Sequence, residues 1–170
     1  MTSIPISGLI ANIDPSDLPP GPAGPPGAGR VVDYGSVTPL PPGFEVTQTD
    51  FVPVGSGLGV VIPCASGDRV KISVRGIFGH NSSTGLVAFS IFKNGVDQSL
   101  PGDTGMSHGR MSQFDEVKEF NIEYLDLNPG VGDIEYELRW KVWGGRGIIG
   151  RRHYDTLVMQ HTVMNWEKLI

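Results

Sequence analysis

The sequence predicts an all-β fold, an antiparallel two-sheet sandwich of about eight strands preceded by an extended arm, on three observations. Gly and Pro supply 24 and 14 of the 170 residues, about twice ordinary usage, a load that belongs in turns and leaves helices scarce. Apolar residues recur with period two along several segments. Turn chemistry separates those segments at short, even spacing.

A chain of this length fits one ordinary domain with room for a tail. The formal net charge is −5, and the lysines and arginines are scattered, so the basic footprint of a nucleic-acid binder is missing. No run approaches the roughly 18 apolar residues of a spanning helix, and no basic patch followed by an apolar stretch marks a secretory signal. The expected partners therefore include neither nucleic acid nor membrane. The single cysteine, Cys64, sits in the apolar run Val60-Val61-Ile62-Pro63-Cys64 and reads as a small buried hydrophobe.

Residues 1–43 form the arm. They hold most of the prolines and, apart from Tyr34, no aromatic residue, so they cannot build a core of their own. Within them Gly21, Gly24 and Gly27 stand at three-residue spacing among Pro22, Pro25 and Pro26, the composition of a collagen-like stretch over 21–29. Three triplets are too few to hold a triple helix unaided. They fit a stiff polyproline II spacer, or three arms running together at a trimer axis. Ahead of the spacer, Ile4, Ile6, Leu9, Ile10 and Ile13 would be left in water unless another surface receives them. They are the expected anchoring residues.

Residues 44–170 are expected to form the sandwich. The clearest strand sets Ile134, Tyr136, Leu138, Trp140 and Val142 against Asp133, Glu135, Glu137, Arg139 and Lys141, one face apolar and the other wet. The same alternation marks Val70, Ile72 and Val74, and again Phe120, Ile122 and Tyr124. Further strands are expected over 44–52, 57–63, 85–93 and 155–166, with a short one near 96–99. Asn94-Gly95 after an apolar run is a hairpin signal, and Asn81-Ser82-Ser83, Pro101-Gly102-Asp103 and Asn128-Pro129-Gly130 are turns. Eight strands so punctuated indicate a jelly roll.

Two segments break the alternation. Leu86 to Phe92 is apolar on both faces, and the last strand carries Leu157, Met159 and Val163 on one face with Val158, Met164 and Trp166 on the other. A strand apolar on both faces needs a cover, which is either a second copy of the chain or its own arm or loops. The first choice makes Phe92, Val158, Met164 and Trp166 the expected interface of a homo-oligomer.

Candidate chemistry is thin. Gly145-Arg146-Gly147-Ile148-Ile149-Gly150 matches G-x-G-x-x-G, but the residues after it read as a strand, so no helix N-terminus follows to hold a phosphate, and a glycine-rich loop is expected. His80, His108, His153 and His161 lack metal-ligand spacing and are expected in loops or on the surface. His161, on the last strand, could tune assembly with pH. Ser107-His108 and Ser112 lie in a glycine-rich stretch that rarely supports nucleophile–base geometry. The expectation is no enzyme, no cofactor and no metal.

The stretch from roughly 69 to 170 resembles the jelly-roll domains, similar to tumour-necrosis-factor and C1q heads, found in structural proteins of tailed bacteriophages. The resemblance is carried by Gly85-Leu86-Val87-Ala88-Phe89-Ser90-Ile91-Phe92-Lys93-Asn94-Gly95, Tyr136-Glu137-Leu138-Arg139-Trp140-Lys141-Val142, Gly150-Arg151-Arg152 and Asp155-Thr156-Leu157-Val158-Met159-Gln160. It implies a homotrimer on the outer surface of a virion, either a decoration (cement) protein clamping the capsid or the head-proximal base of a fibre. Its partners would be itself and the major capsid protein, and it would be made in the host cytoplasm without a signal peptide. A second reading has loops near His80, Met106 or Arg146 bind a cell-surface glycan as a receptor-binding module. A third, a cupin-like metal oxygenase, would need histidines clustered within the barrel.

Overall fold

The protein is described here by a computed structural model covering residues 30–38, 44–55, 58–113, 116–150 and 162–170. Among these residues there is no helix. The strands are β1 (Val31–Val37), β2 (Glu45–Val46), β3 (Val52–Pro53), β4 (Gly59–Cys64), β5 (Arg69–His80), β6 (Leu86–Lys93), β7 (Val96–Asp97), β8 (Ser107–Arg110), β9 (Val117–Asp126), β10 (Gly132–Trp143), β11 (Gly147–Ile149) and β12 (Val163–Leu169).

They form two antiparallel sheets. In the first, the long β5 pairs on one side with β9 over nearly its whole length. On its other side it pairs first with β12, from Arg69↔Leu169 to Arg75↔Val163, and then with β11, from Phe78↔Ile149 to His80↔Gly147. β1 extends this sheet beyond β12, and β2 extends it beyond β11. In the second sheet β10 is central. β6 lies on one side, with β7 and β8 beyond it, and β4 and β3 share the other side.

The alternation along β10 does what the sequence predicts. Ile134, Tyr136, Leu138, Trp140 and Val142 are buried, while Asp133 and Glu135 are exposed and Glu137, Arg139 and Lys141 are half-buried. From the facing sheet come Val70, Ile72, Val74 and Phe78 of β5, Phe120 and Ile122 of β9 and Met164 of β12, all in the same core. Phe89 of β6 is the hinge of this packing. Its ring stacks on Phe120 of the opposite sheet at 3.9 Å between centroids and 4° between planes, and it lies 6.1 Å from the Trp140 indole on its own sheet. Such offset aromatic contacts add about 0.5–1.5 kcal/mol each beyond the area they bury.

Three expectations are corrected. Val31–Val37, inside the 1–43 stretch, is a strand of the first sheet: free of proline and rich in Val and Tyr, it pairs with the backbone edge that β12 would otherwise leave open. The expected strand over 44–52 is instead two short ladders, β2 in one sheet and β3 in the other, because the chain changes sheets between them. The glycine-rich segment after β10 is not wholly loop, since Gly147–Ile149 is buried strand. Of the segment expected as the last strand, 155–161 lies outside the described residues.

Asn94-Gly95 makes the hairpin between β6 and β7. Both residues have left-handed backbone angles, with φ of 48° and 78°, as a two-residue turn matched to strand twist requires. A Cβ on Gly95 would touch nothing within 4 Å. Gly95→Ala therefore tests backbone conformation alone, and we expect it to cost about 1–2 kcal/mol, read as a lower urea midpoint with an unchanged m-value.

Candidate functional site: the two ends of the sandwich

The strands begin and end together, so the sandwich has two ends of different chemistry. At one end lie the start of β5 and β10 and the finish of β4, β6, β9 and β12. Asp126, the last residue of β9, is buried there. It pairs with Lys93 Nζ at 2.6 Å, and its Oδ2 accepts a hydrogen bond from the Tyr136 hydroxyl at 2.8 Å. Its Oδ1 accepts from the backbone N–H of Asn128 at 3.1 Å, while Lys93 also donates to the Asn128 carbonyl at 3.2 Å. One carboxylate thus ties both sheets and the loop after β9.

Electrostatics follow from that packing. Burial by itself raises the carboxyl pKa of Asp126, but the hydrogen bonds from Lys93, Tyr136 and Asn128 outweigh it, and the pKa lies below its ordinary value. Tyr136 is held protonated well above the usual phenol range by burial and by its bond to Asp126. Tyr124, whose hydroxyl donates to Gln98 Oε1 at 3.0 Å, is pushed up to about 12 by burial and then by Asp126. The Cys64 thiol is raised by burial and by Asp68, which makes it unreactive, consistent with its place in the core.

Around this network the surface carries a cluster of exposed apolar side chains among polar ones such as Arg30, Asn128 and Asp133. Most of the large apolar side chains that the described residues leave exposed gather at this end: Leu127 at 66% and Val131 at 74%, with Val31, Val32, Val96, Leu125 and Ile170. The chain also comes in and goes out here. Arg30 and Ile170 exchange two backbone hydrogen bonds of 3.1 Å, N–H to carbonyl in each direction, so residues 1–29, which lie outside the described residues, join the chain at this end.

The other end is polar and tightly held. Gly145 and Gly85 crowd the imidazole of His80, which is fully buried at the end of β5; a Cβ on Gly85 would come within 2.0 Å of it. His80 Nδ1 accepts from the Ser82 N–H at 3.0 Å. Asn81 and Arg146 are joined by two bonds, Arg146 N–H to Asn81 Oδ1 at 2.6 Å and Asn81 N–H to the Arg146 carbonyl at 3.0 Å, and Arg146 pairs with Glu45 at 2.8 Å. The surface expectation for His80 is thus corrected: the glycines of two loops leave a pocket that only an imidazole-sized side chain fills. Asn81 to Thr84 remain a turn, as expected.

Of the two covers expected for β6, a second copy or the chain itself, the structure supplies the second. The outward Ala88 and Ser90 are fully buried by the chain's own residues. Ser90 donates to Asp97, and the Phe92 ring lies under the Arg139 guanidinium at 4.5 Å and against Phe51 at 5.4 Å. Met164 is fully buried in the core. Neither Phe92 nor Met164 has surface left to give a partner, because the loop after β7, Phe51 and the facing sheet already cover them. Trp166 is half-buried and packs at the sheet edge against Gly35 and the core. Val158 and the arm residues Ile4, Ile6, Leu9, Ile10 and Ile13 lie outside the described residues, as do the collagen-like stretch, His153 and His161. Ser107 and His108 are neighbours on β8, while Ser112 donates to Glu116 through its N–H and hydroxyl; the two serines and the histidine make no shared site. Among the described residues no three His, Cys, Asp or Glu side chains converge as metal ligands would, and no helix is long and apolar enough to cross a membrane.

Compared with models of known protein families and with the curated proteins, the chain matches none.

The network makes a pH prediction. Because the folded pKa of Asp126 is depressed, its stabilisation is fully present above the unfolded carboxyl value of about 3.9 and is lost as pH falls through the folded value. Lys93→Met leaves a buried carboxylate without its cation, which costs about 3–5 kcal/mol when burial is complete; with Lys93 one-fifth exposed, the lower end is expected. Asp126→Asn should destabilise near neutral pH and lose most of that deficit in acid. Urea midpoints of wild type and Asp126→Asn, compared near pH 7 and at about pH 3, should converge; a constant gap would show that Asp126 acts by packing alone.

Proposed function

We propose that the chain is a virion structural protein that decorates and stabilises the outer surface of a bacteriophage capsid, held there by its N-terminal arm. The observation that carries the reading is the coincidence at one end of the sandwich of an exposed apolar rim with the point where the arm begins. A patch of Leu, Val and Ile in water is unfavourable unless a partner covers it. The arm's five aliphatic residues face the same requirement. Attachment at this end would meet both and leave the polar end, with Asn81 and Arg146, pointing outward.

The strand order supports the finer fold assignment, a jelly roll. One sheet runs β9, β5, β12 with β11, then β1 with β2, and the other runs β8 with β7, β6, β10, then β4 with β3. Successive long strands β5, β6, β9, β10 and β12 pass from sheet to sheet in the double Greek-key manner. A homotrimer is proposed on the three Gly-x-y triplets of the arm, not on β6, which its own chain covers. Three arms would multiply weak contacts through effective concentration. The reading assigns no catalytic role and no cofactor.

Deletion of residues 1–20 should abolish adsorption to capsids stripped of the protein while leaving a soluble oligomer by mass measurement. Leu127→Asp combined with Val131→Asp, in the full chain, should weaken adsorption at least tenfold without lowering the melting temperature, since both side chains are already in water. Adsorption unchanged by the truncation and by the double substitution would overturn the proposal.

A further inference from the structure

The outer face of the first sheet carries a trough that the attachment reading leaves unused. Its rows follow from register. Ser36 on β1, Asn165 on β12, Ser73 on β5 and Glu123 on β9 stand side by side across four strands. The next row on one side presents Tyr34, Glu167, Lys71 and Leu125, and the next on the other presents Val163, Arg75 and Asn121. Short side chains between taller neighbours make a hollow. It has two lobes of about 570 and 600 Å³, and they adjoin because Ser73 and Arg75 line both. At a strand spacing of about 4.8 Å, the trough runs roughly 15 Å across the sheet.

The lining selects a ligand class. Most of the side chains that line the trough donate or accept hydrogen bonds, while Val31 and Trp166 beside Tyr34 add apolar surface to one lobe, a mixture that suits a ring with both hydroxyl groups and an apolar face. Among the described residues, Arg75, Glu119, Glu123 and Glu167 enter none of the ion pairs, so their hydrogen-bonding capacity is free. Three carboxylates, Glu119, Glu123 and Glu167, against two cations, Arg75 and Lys71, leave the face net negative, which disfavours a phosphate, a sulfate or a sialic acid. Hydroxyl groups suit the set: they donate to the carboxylates and accept from Arg75, Asn121 and Asn165. Tyr34, 77% exposed, stands at one wall with a flat face on which a pyranose ring can stack.

We propose that this trough binds a neutral oligosaccharide of a few sugar units, laid across the strands from Tyr34 to Asn121. Such a site would add glycan recognition to a protein attached by the end of the sandwich, and it sits on the sheet face, away from the loops near His80 and Arg146.

The test uses the full-length protein, fluorescently labelled, on an array of neutral, sialylated and sulfated oligosaccharides. Retention on neutral structures is expected, with at least tenfold loss in Tyr34→Ala and in Asn165→Ala and complete loss in Ser73→Trp, which fills the floor. Each variant should keep the wild-type melting temperature and mass; the two alanine variants decide the matter if Ser73→Trp fails to fold. Retention on acidic glycans only, retention on none, or neutral binding indifferent to Tyr34→Ala and Asn165→Ala would overturn the proposal. So would cross-linking that places Ser73 and Asn165 against a second copy of the chain.

Discussion

The two sheets depend on one contact. Phe89 rises from β6 between Phe120 of the opposite sheet and Trp140 of its own, with Phe78 edge-on at 5.3 Å. Four aromatic rings from four strands bury together, and they set the spacing at which the remaining Val, Ile and Leu side chains can interdigitate. The glycines next to this cluster serve the same end. Gly109 leaves room for the Phe78 ring, and Gly76 for Phe120 and Thr162. Side chains there would push the sheets apart.

From that packing the difference between the ends follows. Where the sheets close over Asp126, Lys93 and Tyr136, these polar groups are turned inward and satisfied, and Leu127, Val131 and Ile170 meet solvent beside exposed Arg30, Asn128 and Asp133. At the far end, His80 accepts from Ser82 within the loop after β5, Asn81 stitches that loop to Arg146 in the loop after β10, and the surface there is polar. An apolar cluster at the end where residues 1–29 join the described chain is what the proposed attachment uses. On that proposal the N-terminal residues and the rim are two parts of one attachment.

The alternation of β10, β5 and β9 was legible in the sequence because each strand has one wet face, and the Asn94-Gly95 hairpin because only a few residue pairs accept two left-handed backbones in succession. β8 and β11, four and three residues long, are too short for a period to show. β6 misled in an instructive way. Its apolar outer face signalled a cover but could not say whose, and the cover includes Phe51 and Arg139, residues distant in sequence. His80 was hidden for a similar reason, since its burial depends on Gly85 and Gly145, which come from two loops brought together only by the fold. The apolar end was not legible either: Val31, Leu127, Val131 and Ile170 are scattered along the chain and become one rim only through strand register.

The central claim is that the arm and the apolar end meet the same partner. Hydrogen–deuterium exchange of the full chain, free and then adsorbed on capsids, tests it directly. The account predicts new protection in residues 1–20, 94–97, 125–132 and 167–170, with 81–84 and 144–146 unchanged. Protection confined to 81–84 and 144–146, with the arm and the apolar end exchanging as in the free protein, would contradict it.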